Sequence, residues 1–198
     1  MRASATRNGS RVMDIREAIY TRRAVRQFSD QAVDEATIRQ LIDAAIQAPS
    51  AVNEQPWSFV VVREQALLDR ISDDTKTYLL RTTPVGLLSP HIRESLSDPQ
   101  SQLFYHAPVL ILIASVADSA WAVEDCALAA ANLMLAARAA GLGTCWIGLA
   151  QKWLATPQGK AVLELPPDCL PVAPIIVGHP KSWPPAVPRN EPRIHWVG

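Results

Sequence analysis

The sequence has few cysteines, and their spacing does not suit cross-links or zinc binding. Only Cys126, Cys145 and Cys169 occur, an odd number with no CxxC pair. A disulfide framework or a cysteine-based zinc site is therefore not expected, and we predict no metal site. Such a chain suits a reducing compartment, so we predict a cytoplasmic location.

An excess of charge of either sign is also lacking. Nineteen Lys and Arg residues balance nineteen Asp and Glu residues. Without a global field, the sequence predicts neither a nucleic-acid partner nor an anionic membrane partner. The longest strongly apolar strand, residues 107–117, is too short to span a bilayer as a helix. The nucleotide fingerprints GxGxxG and GxxxxGKS/T are missing, so any bound nucleotide must be held by Arg side chains and backbone groups elsewhere.

The first twelve residues differ in composition from the rest. They carry Arg2, Arg7 and Arg11 among Ser, Thr, Asn and Gly, and no apolar segment follows. This pattern is not that of a secretory signal. We predict a flexible extension over residues 1–12 and one folded domain over residues 13–198, because helical periodicity begins only there.

Helical and strand patterns alternate along the domain. Predicted helices cover Ile15 to about Arg22, a segment from Asp34 that Pro49 stops, the weakly helical residues 64–80, Trp121 to Ala140, and residues 151–163. Short runs rich in β-branched residues predict strands at 57–62, 108–116, 144–149 and 172–177. Strands interleaved with helices predict an α/β or α+β sheet sandwich.

Residues 81–104 show little periodicity of either kind. They contain Pro84, Gly86, Pro90 and Pro99, which break regular structure. We predict a mobile segment here that lies over a site.

Two further segments indicate contact with a second copy of the chain. The helix at 121–140 is apolar nearly all round, with only Glu124, Asp125 and Arg138 charged. Such a helix has to be covered on more than one side, and a dimer interface is the simplest explanation. The last twenty residues hold five prolines and two tryptophans, a composition that excludes a helix or a central strand. We predict an extended tail across a folded surface, either its own or that of a partner.

The segment RRAVR, residues 22–26, places three guanidinium groups at the end of the first predicted helix. Arg is the preferred bidentate partner of phosphate, so the segment is a candidate anion site. A solvated basic helix end, favoured by the helix dipole, is the alternative interpretation.

Two other segments and one arginine complete the candidate set. The loop PSAVNEQPW, residues 49–57, is either a rigid ligand-presenting loop or an ordinary helix-to-strand turn. In GLGTCWIG, residues 141–148, the glycines permit close approach of a flat group or simply tight packing. Its Cys145 is interpreted as an inert buried thiol and not as a nucleophile. Arg189 in the proline-rich tail, taken singly, is a surface arginine.

In this order, the segments resemble the motifs of the nitroreductase family. That family has an RRSxR-like motif, a PSSxNxQPW-like loop, a GLGxCWIG-like strand and an Arg in a Pro-rich tail, where this sequence has RRAVR, PSAVNEQPW, GLGTCWIG and PPAVPR. The resemblance extends from about Met13 to Gly198. It implies an α+β fold with a central mixed, mainly antiparallel sheet flanked by helices. It also implies an FMN cofactor and a homodimer with exchanged C-terminal tails.

The resemblance implies roles for twelve cofactor-binding residues. Arg22 is similar to the residue that holds the FMN phosphate, with Arg23 and the backbone of Ala24 beside it. Arg26 is similar to the residue that reaches the pyrimidine edge of the flavin ring. Pro49, Ser50, Ala51 and Asn53 resemble the loop that the other subunit donates. Trp146, Ile147 and Gly148 resemble the segment beside the reactive ring nitrogen, and Arg189 the tail residue that completes phosphate binding. The sequence departs from the family at Ala24 and Ala51, each of which replaces a Ser.

The implied activity is that of an FMN-dependent oxidoreductase. It would use NAD(P)H to reduce nitroaromatic, quinone or related electron-poor acceptors by ping-pong hydride transfer, and the motifs imply no catalytic side chain. Residues 75–106 are expected to set the choice of acceptor. The alternatives are a specialised flavoenzyme on the same fold (a reductive dehalogenase, a ring dehydrogenase or a flavin-consuming enzyme) and a non-catalytic flavin-binding module.

Overall fold

Seven α-helices, a short 3-10 turn and four strands make up residues 13–198, the part of the chain that this computed structural model describes. In chain order they are α1 (Ile15–Thr21), α2 (Glu35–Ala45), the 3-10 turn (Ala51–Asn53), β1 (Trp57–Val62), α3 (Gln65–Thr82), α4 (Pro90–Ser97), β2 (Val109–Ser115), α5 (Ala122–Ala139), β3 (Gly143–Trp146), α6 (Gly148–Leu154), α7 (Pro157–Val162) and β4 (Leu170–Gly178). The extension predicted over residues 1–12 lies outside this description. Within it, no helix is both long enough and apolar enough to cross a membrane.

The four strands form one sheet in the order β1-β2-β4-β3, and every neighbouring pair is antiparallel. In residues 13–198 the isolated bridge between Ala24 and Thr144 adds a parallel pairing at β3. The predicted α+β fold with a mainly antiparallel sheet is therefore confirmed.

Two hydrophobic cores lie on the two faces of this sheet because side chains alternate along β2. Leu110 and Leu112 belong to the core that α3 and α6 cover, whereas Val109, Ile111 and Ile113 belong to the core under α2 and α5. Each fully buried side chain of this type contributes about 1.5–3 kcal/mol relative to exposure. Strand β2 is buried along its whole length, which makes it the centre of the domain.

The first two helices begin where the sequence predicts. Asp14 accepts a hydrogen bond from the Glu17 N–H at 2.7 Å, and Asp34 accepts one from the Thr37 N–H at 2.7 Å. Each carboxylate thereby satisfies an amide that the helix leaves unpaired. Helix α2 then ends at Ala45, before Pro49.

Two predicted boundaries are wrong. The strand predicted over 144–149 ends at Trp146, because the chain turns at Ile147 and Gly148 begins α6. The single helix predicted over 151–163 is two helices, since the Thr156 side chain caps a new one. Residues 81–104, whose sequence shows little periodicity, contain the regular helix α4, whose start is capped by the Ser89 hydroxyl; the mobility of this segment stays a prediction.

Candidate functional site

The RRAVR segment lies against β3, far from it in sequence. The Val25 N–H donates to the Thr144 carbonyl at 2.9 Å, and Ala24 pairs with Thr144 in the parallel bridge. Gly143 makes this approach possible, because a Cβ there would lie 2.7 Å from Cγ2 of Val25. The first and third sequence motifs are thus brought together by backbone pairing.

A cavity of about 470 Å³ opens beside this pairing. Small-molecule sites are typically about 300–1,000 Å³, so the volume suits a cofactor. The lining combines cations, small residues, an indole and an apolar wall from α1 and α5: Ile19, Arg22, Ala24, Arg26, Ala131, Met134, Leu135, Cys145 and Trp146. Four predicted cofactor-binding residues therefore share one cavity: Arg22, Ala24, Arg26 and Trp146.

The cavity carries positive charge that the described protein residues do not neutralise. Arg22 is half-buried and Arg26 is exposed, and within residues 13–198 neither forms an ion pair with a carboxylate. Both act on the Cys145 thiol: burial raises the pKa of that thiol, while Arg26 and then Arg22 lower it. The cavity thus suits a partly apolar ligand with a negative group.

Cys145 itself is buried, and its raised pKa keeps the thiol neutral further into the alkaline range than a free cysteine. We expect native Cys145 to resist iodoacetamide near neutral pH and to react as in a model peptide once the protein is unfolded. Peptide mapping by mass spectrometry, with and without denaturant and over rising pH, measures this. Rapid modification of the native protein near neutral pH would contradict the inert-thiol interpretation.

Arg23 points to a different set of partners. Its guanidinium donates to the carbonyls of Tyr20, Arg22 and Pro185, at 2.9, 2.7 and 3.2 Å. It therefore joins the end of α1 to the C-terminal tail, and its predicted contact with phosphate stays a prediction.

The first part of that tail packs against the same chain. Backbone hydrogen bonds join Ser29 to His179 and Lys181 to Gln27. The Arg138 guanidinium then lies 3.9 Å from the centroid of the Trp183 ring, and its Nε donates to the Thr21 hydroxyl. Residues 186–198, with Arg189 among them, are exposed and do not line the cavity.

The 49–55 loop does not line this cavity either. Pro49 and Asn53 are exposed, whereas Ser50 and Ala51 are half-buried. The Ala51 N–H donates to Asp125 Oδ1 at 3.0 Å, and the Ser50 hydroxyl accepts from the Gln55 N–H. Asp125, which anchors this loop, is not among the residues predicted for the site, although a carboxylate on an otherwise apolar helix is an unusual feature of the sequence.

Ile147 and Gly148 adjoin the cavity without lining it. Ile147 is buried, and its N–H donates to the Pro174 carbonyl at 2.8 Å. Gly148 is exposed and is the first residue of α6, where amide N–H groups have no partner within the helix. Of this pair, only the Gly148 amide is therefore suited to a ligand.

A second cavity, of about 380 Å³, meets the first at Arg26. Helix α4 and residues 101–105 form much of it, and its lining includes His91, Ser95 and Tyr105. The Arg26 guanidinium lies 5.9 Å from the centroid of the Tyr105 ring. This arrangement could not be predicted from residue type, because Tyr105 and His106 both adopt a left-handed backbone conformation.

No cluster of three or more His, Cys, Asp or Glu side chains in the described residues is arranged to hold a metal ion.

Comparisons with known proteins agree with the α+β fold. The sequence model of the nitroreductase family matches residues 19–179. A protein of Methanothermobacter thermautotrophicus, provisionally named an NADH dehydrogenase/NAD(P)H nitroreductase, is 32% identical over 191 residues, which cover 92% of this chain and 86% of that protein. The chain belongs to the nitroreductase family.

Solved structures share the fold. A nitroreductase with bound FMN from Bacteroides fragilis superimposes with a TM-score of 0.82 at 23% identity, over 94% of this chain and all of that one (100%). An oxidised iodotyrosine deiodinase bound to FMN and 3-iodo-L-tyrosine superimposes with a TM-score of 0.75 at 22% identity, over 93% of this chain and 100% of that one. At these identities the superpositions establish the architecture alone.

Proposed function

We propose that the protein is an FMN-dependent oxidoreductase that takes hydride from NADH or NADPH and passes it to an electron-poor acceptor such as a nitroaromatic or a quinone. The observation that supports this most is the cavity that joins Arg22, Arg26 and Trp146. When bound there, FMN supplies the hydride-transfer chemistry, and the protein supplies binding, orientation and electrostatics.

The residues of the cavity fit FMN in three respects. Arg22 is half-buried and has no carboxylate partner in the described residues, so it can hold a phosphate. Ala131, Met134 and Leu135 provide an apolar wall for a flat ring. Arg26 stands where this cavity meets the second one, which suits a contact with a polar edge of the ring.

We further propose that the working form is a homodimer in which each cofactor contacts the 49–55 loop of the second copy. In the single chain this loop lies away from the cavity, and large apolar side chains remain exposed on α1, at the start of α5 and on the tail. Trp121 is 59% exposed and Trp196 is 90% exposed. Contact with a second copy would cover such groups.

Flavin binding should therefore require the dimer. Dilution below the dimer dissociation constant is expected to release FMN in parallel with dissociation, because each site would need groups from both copies. Sedimentation followed by flavin absorbance measures both events. A monomer that retains FMN tightly would refute the shared site.

The second cavity is the proposed entrance for the acceptor. It adjoins the cofactor cavity at Arg26 and is formed in large part by α4, within the segment expected to choose the acceptor. His91 and Tyr105 line this second cavity, so an imidazole and a phenol are available to contact an aromatic acceptor.

The experiment that tests the function starts from the purified protein. The purified protein should be yellow and should release FMN, not FAD, on denaturation. The arginines of the cavity suit one terminal phosphate, and the sequence has no dinucleotide fingerprint. Anaerobic NAD(P)H should bleach the flavin, and a nitroaromatic or quinone should restore its colour. Protein that is colourless and cannot be reconstituted with FMN would overturn the proposal.

The same assay separates the rival activities. Turnover of a halogenated phenol without turnover of nitroaromatics would favour a reductive dehalogenase, an activity suggested by the similarity in fold to the deiodinase. Loss of FMN during turnover would favour a flavin-consuming enzyme. A bound flavin that NAD(P)H does not bleach would favour a non-catalytic module.

Arg26→Gln should lower the two-electron midpoint potential of bound FMN by about 30 mV, which corresponds to about 1.4 kcal/mol. Two-electron reduction tends to leave negative charge on the pyrimidine edge of the ring, and a guanidinium there stabilises the reduced form more than the oxidised form. Redox titration of the flavin-loaded variant measures the shift. Equal potentials for wild type and variant would show that Arg26 holds the cofactor without adjusting its chemistry.

A further inference from the structure

Asp125 is a buried carboxylate on a helix that is otherwise almost entirely apolar. Its relative exposure is 3%, and it lies in the first turn of α5 among buried alanines and Cys126. Taking a charge out of water is unfavourable unless nearby groups compensate it. The start of a helix supplies part of that compensation, because its dipole favours a negative charge.

The carboxylate has one hydrogen-bond partner among the described residues, and that partner is the backbone of a distant loop. Oδ1 accepts from the Ala51 N–H at 3.0 Å, whereas Oδ2 is buried and has no partner in that part of the chain. The buried charge is therefore directed at one amide, at the start of the 3-10 turn.

The loop that begins at this amide is strained. Val52, Asn53 and Gln55 have φ values of 47°, 57° and 51°, in the left-handed region that favours glycine. Val52 is β-branched, so the strain there is largest, and it is 97% exposed. Such a conformation persists only where the surroundings fix it, and it occurs most often at ligand-binding sites.

We propose that Asp125 is a positioning residue that fixes the 49–55 loop in the shape in which it contacts the cofactor of the second copy. The inference rests on the proposed function. Because Asp125 and the loop belong to one chain, the effect of Asp125 falls on the site of its partner and not on its own. Asp125 is buried and does not line the cavity, so it acts through the loop.

The apo protein tests the anchoring step by itself. Asp125→Ala is expected to speed hydrogen exchange at the Ala51 amide by about tenfold or more, since it removes the acceptor. Asp125→Asn should keep exchange near the wild-type rate, because the amide oxygen can still accept. Asn132→Ala is the matched control, because it removes a weaker bond of 3.3 Å from the same helix to the Ala44 carbonyl. Unchanged exchange in Asp125→Ala would overturn the proposal.

The loaded protein tests the consequence for the cofactor. Asp125→Ala should raise the FMN dissociation constant about tenfold and change the visible circular dichroism of the bound flavin, whereas Asp125→Asn and Asn132→Ala should bind like wild type. Equal affinity and equal spectra in wild type and Asp125→Ala would refute the positioning role. If wild type fails to bind FMN while the exchange result holds, the proposed function fails and the loop anchor stands.

A mixed dimer shows which site Asp125 serves. Differently tagged Asp125→Ala and Arg22→Gln chains are exchanged by dilution, and the mixed dimer is purified on both tags. One of its sites then combines an intact Arg22 with an intact loop, and the other lacks both. The mixed dimer should therefore recover one wild-type-like FMN site. If instead both of its sites are weak, Asp125 acts within its own subunit and the proposal is wrong.

Discussion

Arg22→Gln should raise the FMN dissociation constant by about 10- to 150-fold, because a hydrogen bond to a charged group contributes about 1.5–3 kcal/mol. Arg22 is half-buried at the end of α1, lines the cavity, and has no carboxylate partner in the described residues. The midpoint potential of the flavin that does bind should stay near the wild-type value, since a phosphate contact does not depend on the oxidation state of the ring. Fluorescence titration gives the affinity, and redox titration gives the potential.

Arg23→Gln is the matched control for that measurement. The Arg23 guanidinium already donates to three backbone carbonyls, so its loss should lower thermal stability and loosen the tail more than it weakens FMN binding. Equal losses of affinity in the two variants would mean that both arginines hold the phosphate, as the family resemblance implies. An unchanged affinity in Arg22→Gln would remove the phosphate contact from the proposed site.

Gly143→Ala is expected to lower the free energy of unfolding by about 1–3 kcal/mol or more, through overpacking. The added Cβ would lie within 2.8 Å of Cβ and both Cγ atoms of Val25, so the bridge between Ala24 and Thr144 has to shift. Since that bridge holds Arg22 and Arg26 beside β3, FMN affinity should fall together with stability. Chemical denaturation and flavin titration measure the two effects.

Gly178→Ala separates the two effects. Gly178 pairs with Gly143 in the sheet, and a Cβ there would lie 2.7 Å from atoms of Phe28 and Pro108. Unlike the segment that contacts Gly143, Gly178 is not part of the lining of the cavity. It should cost comparable stability while the folded protein keeps its FMN affinity. If Gly143→Ala also keeps wild-type affinity, the bridge does not position the arginines.

The sequence predicted helices and strands well where a few neighbouring residues determine the local structure. Asp14 and Asp34 cap the helices they were expected to cap, and Trp57–Val62 is the strand that its β-branched residues indicate. The end of β3 could not be read in this way. The Ile147 amide still donates to Pro174 in the register of β3 and β4, but a proline has no amide N–H to return the bond, so the pairing stops there, and the residues around Ile147 do not encode this distant partner.

The membership of the cavity depended in the same way on distant pairing. The motifs marked Arg22, Ala24, Arg26 and Trp146, and backbone pairing between Val25 and Thr144 brings them together. The sequence could not distinguish Arg23 from Arg22, because both are arginines in the same motif. In the structure, the Arg23 guanidinium donates hydrogen bonds to backbone carbonyls. Likewise, three charges marked the long apolar helix, but only the folded chain shows that Asp125 reaches Ala51 and that Arg138 lies over Trp183.

The position of β2 in the sheet has a consequence for how the chain folds. This central strand pairs with β1, which precedes it by two helices, and with β4, which follows it by three helices and another strand. Pairings between segments so distant in sequence form slowly, because much chain entropy is lost before any contact forms. Until both neighbours arrive, the uncharged stretch Val109–Ser115 is open to other chains. The risk of aggregation during synthesis therefore lies in the strand that is most protected once the protein has folded.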